Sequence, residues 1–245
     1  MSRRPSLLSL STLGLLAGLL GCPPPGGGTD LLARTIGEHL STALKQPVVI
    51  ENKPGAGTLV GAEFVAKSAP DGYTLLMATS TTLGISPAMY KSPSINPMKD
   101  FAAISRMATV NLFLIGSTSF PAKDVRELIE VIRANPGKFN YASVGNGSAH
   151  HLFMEILKRE AGLDIKHIPY KGTLAALPDL MSGKVQIMFS DGTAAVPYIR
   201  AGKVLAYGTS AAKPTVLIAS VPPIAETVAG YDWQAWQGVV APAGT

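Results

Sequence analysis

Five short turns carry most of the chemistry this sequence can offer. They are residues 26–30 (GGGTD), 54–58 (PGAGT), 79–82 (TSTT), 145–148 (GNGS) and 191–193 (DGT). Glycine lets bare backbone approach a bound group, and three of these turns run into helical patterns. A helix N-terminus offers unpaired N–H groups and a partial positive charge, which suits a carboxylate or phosphate. The competing reading is that the same glycines and hydroxyls only make turns and cap helices, as in any α/β protein. Residue types alone leave both readings open.

Enzyme chemistry is less well supported. Gly55, Gly57 and Gly61 follow a strand and open a helix, but their spacing is one residue longer than a dinucleotide fingerprint. The next strand, 73–80, ends without an acidic residue for a ribose, and Asp71 sits in a turn before it. His150 and His151 are adjacent, so on a helix they point in different directions and make a poor metal pair. Ser148 and His151 are within reach of each other. No G-x-S-x-G elbow accompanies them, and Ser148 reads better as a helix N-cap. His39 and His167 are isolated. Lys171, in the run PYKG at 169–172, is placed either to meet an anion or to be a solvated lysine.

The elements that must position these turns alternate in type. Residues 29–44 predict a helix with Thr29 as N-cap and Asp30 in its first turn, and Leu32, Ile36, Leu40 and Leu44 recur at i+4. Residues 47–51 read as a short buried strand, 59–68 as a helix and 70–80 as a turn and strand. Residues 91–101 read as a long loop and 109–116 as a strand. Helices follow over 122–138 and 148–162, with strands at 139–145, 164–170, 185–190 and 203–210. Such alternation implies βαβ units and a mostly parallel sheet. The loop at 91–101, or the strand after it, is the expected crossing between two lobes.

The chain has 245 residues, 47% of them hydrophobic and 15% charged, enough for one large or two small cores and unlike a disordered chain. Net charge is +5, but Arg3 and Arg4 belong to an apparent leader, and no basic run marks a nucleic-acid partner. Residues 1–22 read as an export signal with an apolar stretch at 7–20, too short to span a bilayer comfortably. Cys22 is the single cysteine, so no disulfide forms within the chain and no cysteine-based metal site is expected. LLGC at 19–22 only weakly matches a lipoprotein box, so lipid anchoring at Cys22 is the lesser alternative.

Several stretches together resemble one family. PPGGGTD, QPVVIENKPGAGT, AKSAPDGYTLLMATS, NYASVGNGSAHHL, HIPYKG and VVAPAGT occur in the order seen in the Bug-type substrate-binding proteins of tripartite tricarboxylate transporters. The likeness runs from about Pro23 to the last residue. It implies a two-lobed α/β fold of the periplasmic-binding-protein type (type II), with mostly parallel sheets and a hinge. Residues 23–110 would form the first lobe, 111–212 the second, and 213–245 a return to the first. It also implies a periplasmic monomer that closes on a small organic acid, a di- or tricarboxylate or an amino acid. The acid would pass to a two-component membrane permease, without catalysis, cofactor or metal.

Carried onto this sequence, the resemblance places Gly27, Gly28, Thr29 and Asp30 in the site from one lobe, and Gly145, Asn146, Gly147, Ser148 and His151 from the other. Thr79, Ser80 and Thr81 match a hydroxyl-rich turn lining the cleft, and Tyr170, Lys171 and Asp191 match the specificity side of the second lobe. A carboxylate at Asp191 suits a partner with an amino group or a neutral far end and opposes a second bare carboxylate, unless it caps the following helix. The pattern departs from the family at both ends. The leader abuts CPPPGGGTD, so the first strand is either missing or supplied by residues 15–20, and the chain stops at VVAPAGT where relatives continue. An incomplete copy of such a receptor is therefore one alternative, and a nucleotide-binding enzyme another.

Overall fold

The computed structural model describes residues 17–21, 27–90 and 94–245. The leader's Arg3, Arg4 and Cys22, the prolines at 23–25, Gly26 and residues 91–93 of the expected loop lie outside it. The chain builds two five-stranded sheets. The first contains β1 (Ala17–Gly21), β2 (Val48–Asn52), β3 (Thr74–Thr79), β4 (Phe101–Val110) and β10 (Ala235–Pro242), in the order β2-β1-β3-β10-β4. The second contains β5 (Leu112–Gly116), β6 (Asn140–Ser143), β7 (Lys166–Pro169), β8 (Ile187–Asp191) and β9 (Leu205–Thr209), in the order β7-β6-β8-β5-β9. Helices α1 (Gly28–Leu44), α2 (Leu59–Ala66), α3 (Ser86–Met89) and α4 (Pro97–Asp100) accompany the first sheet. Helices α5 (Val125–Arg133), α6 (Ala149–Ala161), α7 (Thr173–Met181) and α8 (Gly192–Arg200) accompany the second. The architecture is the two-lobed α/β fold expected from the sequence.

The sheets are more mixed than strand–helix alternation suggests. In the first, β1 pairs in parallel with β2 and β3, while β10 runs antiparallel between β3 and β4. In the second, β6 pairs in parallel with β7 and β8, while β5 runs antiparallel between β8 and β9. The antiparallel strands are those next to the lobe crossings. A strand entering from the other lobe has no crossover helix to bring it in parallel. The chain crosses at Asn111, between β4 and β5.

The second sheet is buried on both faces, and β5 shows why its sequence is continuously apolar. Leu112 and Leu114 enter a core with Val125, Leu128, Ile129 and Ile132 of α5 and Phe153, Met154 and Leu157 of α6. Phe113 and Ile115, on alternate positions, enter the opposite core with Ala176, Leu177 and Leu180 of α7 and Ala195 of α8. The i, i+3, i+4, i+7 spacing of α5 supplies one apolar face, and the Asp124 side chain caps it by accepting from the Glu127 N–H at 2.8 Å. In the first lobe, Leu76 and Ala78 of β3 pack on Leu59, Ala62 and Val65 of α2, whereas Met77 packs with Ala33 of α1 on the other face.

Several local expectations change or resolve. The strand read over 109–116 divides at Asn111 into β4 and β5 of different sheets, and the loop read over 91–101 contains helix α4 and runs into β4 at Phe101. Residues 47–51 read as a buried strand in the sequence, but β2 is the sheet edge and Val49 is 46% exposed. The N-cap of α1 is Gly27 rather than Thr29, because the helix begins earlier than the residue pattern suggests. Of the two alternatives for the first strand, the fold takes the second: residues 17–21, inside the apparent leader, pair as the strand between β2 and β3.

Candidate ligand-binding cleft

A cleft of about 780 Å³ lies between the lobes. The first lobe lines it with Thr29, the loop from Pro54 to Thr58, Thr79, Ser80, Thr81, Tyr90 and the strand residues Ala235, Trp236 and Gln237. The second contributes Leu112, Val144, Gly145, Asn146, Ser148, Ala149, His150, Tyr170, Lys171 and Asp191. The starts of α1, α6 and α8 border this wall at Thr29, at Ser148–His150 and at the N-cap Asp191, so helix N-termini from both lobes, with their positive dipole ends, adjoin one space. An anion can be held there largely by backbone.

The first-lobe rim is tied down by buried polar bonds. Thr29 accepts a hydrogen bond from Gln237 Nε2 at 2.8 Å, joining the start of α1 to β10. The hydroxyls of Thr58, Thr79 and Thr82 form a cluster, with Thr58 donating to Thr82 at 2.8 Å and the Thr79 and Thr82 oxygens 3.0 Å apart. Ser86 Oγ donates to the Gly57 carbonyl at 2.6 Å. These contacts hold a strained loop: Ala56 and Thr58 adopt φ of 45° and 76°, a region costly for side-chain-bearing residues.

On the second lobe, Ser148 caps α6 as expected, accepting from the His151 N–H at 3.2 Å and donating to the Gly145 carbonyl at 2.8 Å. The Thr81 hydroxyl of the first lobe accepts from the Ala149 N–H at 3.2 Å, a direct bond across the cleft. Tyr170 lines the cleft, but its hydroxyl donates to Asp179 at 2.6 Å. Burial and that bond push it up to about 12. Asp191 occupies the N-cap position of α8 without making a capping bond. Its carboxylate instead faces His150 Nε2 at 3.5 Å and Thr173 Oγ1 at 3.5 Å. Burial pushes Asp191 up, but His150, its own backbone and Thr173 together hold it below the ordinary carboxylate range.

The structure brings ten of the expected site residues to the cleft wall: Thr29, Thr79, Ser80, Thr81, Gly145, Asn146, Ser148, Tyr170, Lys171 and Asp191. Five others do not line it. Gly27 caps α1, and Gly28 lines a separate cavity of about 580 Å³ on the other side of Asp191 and Gln237. Asp30 is turned into the first lobe, where it accepts from Arg34 Nε at 3.1 Å and Asn52 Nδ2 at 2.9 Å. Gly147 sits against the first lobe: a Cβ there would lie 2.4 Å from Met89 Sδ.

His151 lies behind the loop rather than in the cleft. Its ring stacks on His167 at 4.2 Å, and His167 stacks on Tyr141 at 4.8 Å. His151 Nδ1 accepts from the Gly147 N–H at 3.2 Å, and Ser143 Oγ meets His167 Nε2 at 2.6 Å. Tyr141 donates to Glu155, which also accepts from Lys158 at 2.6 Å. Burial lowers His151, and burial together with the charge of His151 lowers His167 to about 4. The imidazole that reaches the cleft is its neighbour, His150. The turn at 54–58, one of the five candidates, lines the cleft although the resemblance placed no site residue in it, and Tyr90, His150, Trp236 and Gln237 line it without being among the expected site residues. Of these, the loop alone carries a local signal, its glycines.

Among the described residues no group of histidine, cysteine or acidic side chains is arranged to hold a metal, and no helix is long and apolar enough to cross a membrane.

Comparison with known proteins places the chain in a family. The family model described as "Tripartite tricarboxylate transporter family receptor" matches residues 32–245. A UPF0065 protein of Bordetella pertussis is 43% identical over 186 residues, covering 75% of this chain and 57% of the relative, so the chain spans little more than half the length of that protein. A Rhodopseudomonas palustris protein solved with adipate superposes with a TM-score of 0.90 at 33% identity, over 94% of this chain and 77% of that one. MatC from Rhodopseudomonas palustris, solved with bound malate, gives a TM-score of 0.87 at 33% identity, over 94% of this chain and 79% of that one. The chain belongs to the tripartite tricarboxylate transporter receptor family.

Proposed function

We propose that this protein is a periplasmic solute-binding receptor that captures a small organic carboxylate between its lobes and delivers it to a two-component membrane permease. The observation that carries this reading is that the N-termini of α1, α6 and α8 border one cleft whose walls come from both lobes. Dipole ends and first-turn amides recognise an anion without needing a cationic side chain. The cleft is bridged by the Thr81–Ala149 bond, so an anion held by amides of both lobes would favour the closed arrangement. The relatives solved with adipate and with malate support carboxylates as the class. The site residues are those at the cleft wall, with His150 and Gln237 added and Asp30 and His151 as supports of the loops.

Native mass spectrometry of the chain recovered from a periplasmic extract tests the proposal and reads the mature N-terminus in the same spectrum. The expected result is a compact charge envelope with a small organic acid bound. A compact protein that carries no acid, and takes up none when soaked with adipate, malate, 6-aminohexanoate or 4-aminobutanoate, would overturn it.

A further inference from the structure

Asp191 is an uncommon feature for a site that takes anions. Its side chain is only 18% exposed, and it stands in the wall of the cleft. The helix it precedes does not use its carboxylate. A carboxylate has about four acceptor positions; its own backbone N–H takes one, and the approaches of His150 and Thr173 to it are both 3.5 Å long. Facing it, His150 Nε2 is buried and makes no hydrogen bond. The pair therefore presents the acceptor capacity of Asp191 to the cleft, with the ring nitrogen buried behind it. Asp191 is held below the ordinary carboxylate range, so it stands charged and offers no attraction to a second anion. Among the cleft residues the remaining ionic side chain is Lys171, which is exposed.

Resting on the carboxylate-receptor reading above, we infer that the Asp191–His150 pair selects acids with one carboxylate and a hydrogen-bond donor, an ammonium or hydroxyl, at the far end. The helix N-termini take the carboxylate, and the donor reaches Asp191. A second carboxylate would be pressed against Asp191 in a partly dry cleft, where like charges repel more strongly than in water. A methyl end would avoid repulsion but bury the Asp191 acceptors without a partner. Discrimination of this kind comes as much from repulsion of the competitor as from attraction of the preferred acid.

Matched acids test this on the whole chain by titration calorimetry. One series is 6-aminohexanoate, 6-hydroxyhexanoate, hexanoate and adipate. The other is 4-aminobutanoate, 4-hydroxybutanoate, butanoate and succinate. In the series whose length fits, the amino or hydroxy acid is expected to bind at least about tenfold more tightly than the diacid. Asp191→Asn is expected to bring the two within about threefold. Asp191→Ser, with the same expected narrowing, stands in if the first variant does not fold. A wild-type protein that binds the diacid as tightly as the donor-bearing acid would overturn the inference and leave the carboxylate reading standing. No binding of any acid in either series would overturn that reading, and this inference with it.

Discussion

Each lobe presents a glycine-rich loop that opens a helix onto the cleft, yet the two loops are held by different chemistry. Behind residues 27–30 the support is a carboxylate with a guanidinium and two amides: Asp30 with Arg34 and Asn52, and Thr29 with Gln237. Behind residues 145–148 the support is aromatic and imidazole: His151 holds the Gly147 N–H, and His167 and Tyr141 stack beneath it. The first arrangement welds the loop to its own sheet. The second leaves the loop dependent on a ring that must stay unprotonated to accept. Two loops with one task can therefore fail under different conditions.

The sharpest way to break the comparison is Asp30→Ala. Its side chain is 6% exposed, and losing it leaves Arg34 and Asn52 without their shared acceptor. The expected outcome is a loss of about 2 kcal/mol of unfolding free energy by denaturant titration, since the buried acceptor shared by Asn52 and the half-exposed Arg34 is removed. A melt like that of the wild type, with only the affinity for acids changed, would return Asp30 to the cleft. The corresponding change in the other loop is Gly147→Ala. Gly147 has φ of 73°, and a Cβ there would crowd Met89 from the opposite lobe. About 1–2 kcal/mol of stability should be lost to left-handed strain, and binding should weaken because Met89 must yield before the lobes approach. Equal affinity in calorimetry would show that the loop does not need this close approach.

Much of this site could be read from the sequence because its chemistry is local. A run such as GNGS carries its turn, its cap and its exposed amides within four residues, and the structure keeps Ser148 as cap and Gly145 and Asn146 at the wall. What could not be read depends on how elements dock. His150 and His151 differ by about 100° around one helix, and only packing of α6 against β6 and β8 decides which ring faces the cleft. Gln237 and Trp236 reach the site from a strand that returns some two hundred residues after Thr29, so no local pattern links them. The five residues of β1 are as apolar as a leader's core, and hydropathy alone does not separate the two roles. Position in a sheet is equally non-local, which is why VVI at 48–50 reads as buried although it forms an edge.

The imidazole support predicts a pH dependence confined to the second loop. His167 is lowered from its ordinary value of 6.5 to about 4 by burial and by the charge of His151, with Lys158 adding to the shift and Glu155 opposing it. The folded protein thus binds the proton less readily than the unfolded chain. The stability supplied by the neutral ring is complete above pH 6.5 and is lost as pH falls toward 4. For a partly exposed ring the loss should be on the order of 1 kcal/mol. His167→Phe should flatten the slope of melting temperature against pH across that window. A slope unchanged in the variant would show that the stack does not supply it.

The smallest expected effect belongs to the bond that joins the two halves. Thr81 stands on the first lobe and accepts from the Ala149 N–H at the start of α6. Thr81→Val keeps the shape and removes the acceptor, leaving a first-turn donor unpaired. A cost of about 0.5–1 kcal/mol is expected, as for one neutral hydrogen bond at a partly buried position. Because the bond spans the cleft, the loss should fall on closure more than on either lobe. The thermal midpoint should barely move, while affinity for a bound acid drops about threefold. The reverse pattern, a lower midpoint with unchanged affinity, would mean that Thr81 braces its own lobe. The two loops would then act without a direct link between them.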